Sequence, residues 1–347
     1  MKVLDLRRAP TGVAVRSLGA YLPARVVTNE DLVRAGAPLA PDEIEKLTGI
    51  RERHWAADDE ATSDLAVRAC EQAMTRAGAA PSSIDRLVVA TVSPDHMSPS
   101  AACFVQGRLG LGRAPAFDVT ASCAGFLYAL DLAARSIVSG DDRVLAVAAD
   151  VRSRFVDLTD RATCALFGDG AGAALLEKGP ANAGLLGIGL AADGRGVHSV
   201  YVPAGGSRRP ASEATVRERA HVIRMEEGPQ VYLAAIEGMA DTATALLSAL
   251  GMDTGDIALV VPHQPNRRIL DRLARVMRLD GDRIFVDVER TGNMSGASCA
   301  VAFDEALRSG RVKAGDRVLL LAGGAGYTAG AAVVAIDETL LATVGRS

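Results

Sequence analysis

The chain lacks the marks of several protein classes. Its 38 lysines and arginines stand against 42 acidic residues, a net charge of −4, so it has no positive field for a nucleic-acid backbone. No uninterrupted apolar stretch approaches the roughly 18 residues of a membrane-spanning helix. The start, Met1-Lys2-Val3-Leu4-Asp5-Leu6-Arg7-Arg8, has no apolar run of a signal peptide. Neither nucleic acid nor membrane is therefore expected as a partner, and a cytoplasmic location is. The cysteines Cys70, Cys103, Cys123, Cys164 and Cys299 form no CxxC pair, which argues against zinc and against a disulfide framework. No metal is expected. Aromatics are only 4% of the 347 residues, so the core must be built from small aliphatic side chains.

Those are plentiful. Hydrophobic residues reach 49%, which excludes disorder over most of the chain, and 35 glycines suit helices packed closely on buried strands. Continuous apolar runs recur at Leu87–Ala90, Val144–Ala148, Ala258–Val261 and Val318–Leu321, as expected for strands buried on both faces. Helical patterns lie between them, at Ser63–Ala77, Gly125–Ser139, Val231–Leu250 and Ala300–Ser309. The alternation indicates an α/β layered fold.

The pattern also repeats. Ile84–Val89 is echoed by Asp256–Val261, Phe117-Asp118-Val119 by Val286-Asp287-Val288, and Asp142–Leu145 by Asp316–Leu319, at offsets of 172, 169 and 174 residues. Three echoes in order predict two similar α/β halves, 1–180 and 181–347.

In the first half, the strand Ala116–Val119 leads through Thr120-Ala121-Ser122-Cys123-Ala124-Gly125 into a helix. Small neighbours permit a sharp turn presenting Cys123, and a helix N-terminus favours its thiolate. The other four cysteines are expected to be small buried core residues. In the second half, His263 follows the strand Ala258–Val261, where open α/β sheets place ligands. Asn293 lies after Val286–Val288 and before another helix, a third strand-end position. His54, His96, His198 and His221 have no such setting and are read as surface or structural. A Cys, a His and an Asn at strand ends in equivalent halves form a coherent nucleophilic site.

Around these residues the sequence resembles the β-ketoacyl-acyl-carrier-protein synthase III family of the thiolase superfamily. The resemblance runs from about Val13 to Ile336 and rests on Gly19–Pro23, Thr48–Arg53, Pro99–Cys103, Cys123–Phe126, Thr159-Asp160-Arg161, Phe167–Gly172, Val261–Gln264 and Gly292-Asn293. It implies a five-layered (αβαβα) thiolase-like fold, a homodimer, and a Cys123–His263–Asn293 triad. It also implies an oxyanion hole from the backbone N–H groups of Cys123 and Ala325, and substrate contacts from Ser98, Arg161, Phe167, Asn266 and Arg268. The implied chemistry is acylation of Cys123 by an acyl thioester, then decarboxylative condensation to a 3-oxoacyl product. It needs no metal, nicotinamide or flavin cofactor. Acyl carrier protein is the implied partner, meeting Arg268.

The departures are informative. Where many members clasp the adenine end of coenzyme A with Trp and Arg, this chain has Glu43 and Leu47, although Arg161 is kept. Ser98 stands where a bulky aromatic often limits the acyl pocket, and Pro229 where an amide side chain is common. Carrier-borne acyl groups in specialised polyketide assembly fit this pattern better than a small acyl-CoA. Transfer of the acyl group to a hydroxyl or amine, or joining of two carrier-bound 3-oxoacyl chains to a pyrone, are the alternatives. Gly168–Gly172 is expected to give close packing at the dimer core, and Ala204–Ser212 a surface loop near the entrance.

Overall fold

The computed structural model describes residues 5–8, 12–180 and 183–344. One sheet runs β2 (Val13–Tyr21), β8 (Gly170–Lys178), β7 (Arg143–Asp150), β5 (Arg86–Ala90), β6 (Ala116–Val119). A second runs β1 (Asp5–Arg8), β9 (Gly184–Ala192), β14 (Thr328–Ala335), β13 (Arg317–Gly324), β12 (Leu259–Pro262). Two ribbons stand apart, β3 (Arg25–Thr28) with β4 (Glu52–Trp55) and β10 (Val200–Tyr201) with β11 (Arg224–Met225). Superposed in order, β2-β8-β7-β5 corresponds to β9-β14-β13-β12, so the sequence echo is an echo of topology. Each sheet mixes directions: β5 is parallel to β6 and β7, and β12 to β13, while the remaining pairings are antiparallel.

The helices explain the continuous apolar runs. Outside the first sheet lie α3 (Thr62–Ala77) and α4 (Ala101–Leu109); between the sheets lie α5 (Gly125–Val138) and α10 (Ala297–Arg308). Outside the second sheet lie α7 (Gly228–Leu250) and α8 (Arg267–Val276), and short helices α1 (Asn29–Arg34), α2 (Pro41–Thr48), α6 (Glu213–Arg217), α9 (Val288–Thr291) and α11 (Glu338–Val344) complete the set among the described residues. Successive residues of a strand point to opposite faces. Val88 therefore packs inward with Phe126, Leu130 and Phe303, while Val89 packs outward with Leu65, Ala69 and Leu145. Both faces are covered, so both residues are apolar. Leu320 and Leu319 divide the same way in the second half. The result is the expected thiolase-like αβαβα stack.

Two expectations need correction. Val286-Asp287-Val288 is not a strand. Its segment pairs only as a parallel bridge between Ile284 and Val260, and the N–H groups of Asp287 and Val288 donate to Gln264 Oε1 at 3.1 and 3.2 Å instead. A side chain has taken over the ladder's hydrogen bonds. Cys103 is exposed, because Ala102, Val105 and Leu109 form the buried stripe of α4. Gly168–Gly172 packs within its own chain: a Cβ at Gly172 would lie 2.4 Å from Ala300 Cβ, and at Gly168 2.2 Å from Thr291 O. The helix α7 is apolar enough by length and composition to cross a membrane, although Glu237 and Asp241 interrupt its apolar run. In this fold it lies along the second sheet, with Met239, Ala243 and Leu247 in the outer core.

Candidate active site

Cys123 sits on a strained turn. Between β6 and α5, Ser122–Ala124 forms one 3-10 turn, with Ser122 at φ +47°. A side chain in this left-handed region is costly and is held by its surroundings. Gly324, at the end of β13, presses on the turn: a Cβ there would be 2.7 Å from Cys123 N. Thr328 Oγ1 donates to Ala121 O at 2.8 Å and ties β14 to the same turn. Cys123 is half-buried and faces a cavity of about 920 Å³, which Ala325 also lines.

His263 and Asn293 reach this cavity from the other half. His263 follows β12 directly, and its backbone N–H donates to Leu321 O at 2.6 Å. Its ring is 1% exposed, and Nδ1 is buried without a partner, which leaves Nε2 for the cavity. Burial lowers its pKa from 6.5 to about 3, so it is neutral. Burial likewise pushes the Cys123 thiol up to about 11, opposed by the Arg152 charge and reinforced by Asp150. Burial thus opposes the thiolate expected at the helix N-terminus. Asn293 is held by its backbone, its N–H donating to Leu166 O at 2.8 Å and its carbonyl accepting from Gly168 N–H at 3.1 Å. It follows the short helix α9 rather than a strand. Its Oδ1 accepts from Ser295 N–H at 2.9 Å, so the free amide donors are those of Nδ2. Ser295 Oγ lies 4.0 Å from Cys123 Sγ.

Three supporting residues were not anticipated from sequence. Gln264 is fully buried; Nε2 donates to Pro262 O at 2.9 Å and Phe285 O at 3.1 Å, while Oε1 holds Asp287 and Val288. It clamps the His263 loop to the chain leading to Asn293. Asp150, ending β7, accepts from Thr91 Oγ1, Val92 N–H, Ser93 Oγ and Gly296 N–H at 2.8–3.2 Å. It joins the loop after β5 to the one bearing Asn293 and Ser295. Burial raises its pKa. Arg152 lines the cavity, 8% exposed, against the rings of Phe155 and Phe167. A charged residue just after a continuous apolar strand was the available signal for both Asp150 and Arg152.

Of the expected substrate contacts, Arg161, Phe167, Asn266 and Arg268 line the cavity and Ser98 does not. Ser98 is exposed, in the loop between β5 and α4. Asn266 Oδ1 accepts from Ile269 N–H at 3.0 Å and caps α8, so part of its function is structural. Arg161, Arg268 and Leu47 are exposed as well as lining, and mark the mouth. There Arg161 is paired with Glu43. The loop Ala204–Ser212 is mainly exposed and adjoins Val200–Val202 of the cavity wall.

Residues 117–194 match the family described as 3-oxoacyl-[acyl-carrier-protein] synthase III, and residues 247–336 match its C-terminal region. A β-ketoacyl-[acyl-carrier-protein] synthase III of Rhodospirillum centenum is 44% identical over 330 residues, covering 94% of this chain and 99% of that one. The chain belongs to the β-ketoacyl-[acyl-carrier-protein] synthase III family. As a synthase III family member it is an acyltransferase of the condensing type. The Aquifex aeolicus synthase III crystal structure matches with a TM-score of 0.85 at 34% identity, over 94% of this chain and all of that one. A priming β-ketosynthase from the R1128 polyketide biosynthetic pathway matches with a TM-score of 0.85 at 32% identity, over 97% and 99%. The departures at Glu43 and Leu47 therefore stand inside a synthase III framework matched along nearly its whole length.

Proposed function

We propose that this synthase III takes its acyl group from a carrier protein onto Cys123 and extends it by decarboxylative condensation, in a pathway of specialised biosynthesis. The observation that carries the reading is the convergence of Cys123, His263 and Asn293 on one cavity. Cys123 sulfur attacks the thioester carbonyl, the new S–acyl bond replaces the old one, and the thiol proton ends on the departing pantetheine. The exchange is nearly isoenergetic, so the barrier is set by the tetrahedral oxyanion. Backbone N–H groups of Cys123 and Ala325 are the donors assigned to it, each worth about 3 kcal/mol when preorganised.

A malonyl-type thioester then loses CO₂ and becomes an enolate. Neutral His263, through Nε2–H, and Asn293, through Nδ2–H, donate to its oxygen. An amide does not titrate, so that donor survives at every working pH. The carbanion attacks the acyl carbon on Cys123, the thiolate leaves and is reprotonated, and a 3-oxoacyl thioester results. In this reading residues 1–180 supply the nucleophile and 181–347 the enolate donors. The chain works as a homodimer, and Arg268 meets the acidic carrier.

Intact-mass and product assays on His263→Ala and Asn293→Ala test this. Both variants should still acylate Cys123 yet lose condensation by about a hundredfold or more, the scale of one preorganised donor. Wild-type condensation by Asn293→Ala would instead indicate transfer of the acyl group to a hydroxyl or amine.

A further inference from the structure

Arg152 is a basic side chain that the condensing chemistry leaves unused. It is 8% exposed and shares the cavity lining with Cys123, Phe167 and Asn293. Its guanidinium lies 5.7 Å from the Phe155 ring centroid and 5.6 Å from that of Phe167, so its near neighbours offer π faces rather than oxygens. Nε is fully buried with no partner, and among the described residues no carboxylate stands within ion-pair distance of the group. Asp150, which feels the Arg152 charge, and Asp169 already have their hydrogen bonds from elsewhere. Asp150 accepts from Thr91, Val92, Ser93 and Gly296. Asp169 accepts from Ala56 N–H and from the N–H and hydroxyl of Ser153.

A buried guanidinium without an acceptor is costly, and a charge retained under those terms reads as half of a pair. The same cavity wall includes the apolar side chains of Val92, Ala165, Leu166 and Phe167. A plain alkyl chain would satisfy that wall but would leave the guanidinium desolvated and unpaired. A chain with an apolar stem and an anionic end satisfies both. Arginine's planar fork suits a carboxylate in particular.

We propose that Arg152 recognises a carboxylate at the end of the acyl chain, so that the group loaded on Cys123 is the monothioester of a short dicarboxylic acid. This deepens the condensing reading and rests on it. Arg152 and Cys123 line the same cavity, so the guanidinium borders the space that an acyl chain on Cys123 enters. A carboxylate could also arrive on the malonyl-type extender. That one must depart as CO₂, however, and a guanidinium stabilising it would oppose its loss. A carboxylate on the acyl chain survives both steps.

The test uses the loading half-reaction alone, with no extender present, so that only the acyl chain can supply the carboxylate. Initial rates of Cys123 acylation are read by intact mass from carrier-bound succinyl, glutaryl and adipyl groups, each against butyryl, pentanoyl or hexanoyl of equal length. At least one carboxylated chain should load about a hundredfold faster than its methyl-ended counterpart, the scale of one charge-assisted hydrogen bond. The adduct should retain the mass of the carboxyl group. Arg152→Leu removes a buried charge at similar reach, and it should invert the ratio; a thermal melt checks that it folds. If it does not fold, the wild-type ratio decides alone. Faster loading of the methyl-ended chains by the wild type, or an unchanged ratio in folded Arg152→Leu, would overturn the proposal. Loading by neither series would overturn the condensing reading, and this proposal with it.

Discussion

The Arg161 guanidinium at the cavity mouth is paired with the carboxylate of Glu43, on α2, and also donates to Pro38 O at 3.2 Å. Both side chains are well exposed, so the pair adds little to stability. Its consequence is for ligands. A phosphate approaching Arg161 meets a guanidinium already occupied and a carboxylate beside it. From the sequence, Glu43 stands where many members have a residue that clasps adenine; in the fold it is also paired with the retained arginine.

The first prediction concerns the donor. The same acyl group should load Cys123 faster from a cognate carrier protein than from coenzyme A, and raised salt should slow the carrier reaction more. Glu43→Ala should release Arg161 and raise loading from coenzyme A by roughly two- to fivefold, the range of one exposed charge contact. Carrier loading should change little. Equal rates from both donors in the wild type, at low salt, would show that the Glu43–Arg161 pair has no bearing on donor choice.

A second prediction separates reactivity from exposure. Cys103 is the exposed thiol, and Ser100 Oγ donates to its sulfur at 3.2 Å, whereas Cys123 opens only onto the cavity. Small alkylating reagents should modify Cys103, yet acyl thioesters should label the peptide holding Cys123. Cys123→Ala should abolish the acyl adduct and Cys103→Ala should leave it. Peptide mapping after incubation with a carrier thioester decides, and an acyl group on Cys103 would count against the site.

The third prediction is a pH dependence of stability. The folded protein holds His263 at about 3, against 6.5 when unfolded. The unfolded chain therefore binds the extra proton between these values, and stability falls as pH drops through that window. From pH 7 to pH 5 the loss from this one group should be about 2 kcal/mol. Urea denaturation at the two pH values should show it, and His263→Gln should flatten the slope. Cys123 acts at the other end: raised from 9.0 to about 11, it costs stability as pH climbs between those values.

Much of this architecture was legible because burial on both faces leaves an unambiguous mark. Runs such as Leu87–Ala90 and Val318–Leu321 fall within β5 and β13, and the Cys123 turn was marked by small residues between a strand and a helix. What escaped was set by side chains acting across long distances in sequence. Val286–Val288 looks like a strand, yet Gln264 takes its N–H groups. The apolar run in α7 cannot by itself distinguish a sheet-covering helix from a spanning one. Cys103 differs from the buried cysteines only by its place on the turn of α4. The isolation of Arg152 depends on Asp150 and Asp169 being satisfied by loops from four other segments, which no local pattern reports.

The last prediction tests how closely the two halves must meet. Gly324 ends β13 in one half, and Cys123 sits on the turn of the other; a methyl group on Gly324 would fall 2.7 Å from Cys123 N and 2.8 Å from Cys123 Cβ. Neither atom is the movable end of a flexible side chain, so the turn itself must yield. Ser122 already holds a left-handed φ, which leaves the turn little room to absorb the push. Gly324→Ala should therefore cost about 1–3 kcal/mol of stability, the usual scale of overpacking. Its larger effect should be kinetic. Displacing Cys123 N by a fraction of an ångström moves an oxyanion donor and the nucleophile together, and loading should drop by about a hundredfold. Gly310→Ala is the control for a destabilised fold, since its φ of +72° strains any side chain while a Cβ there meets nothing within 4 Å. It should cost stability without touching the loading rate. Stopped-flow acylation beside thermal melts would separate the two, and a Gly324→Ala protein that loads at the wild-type rate would show that the turn is not held by this contact.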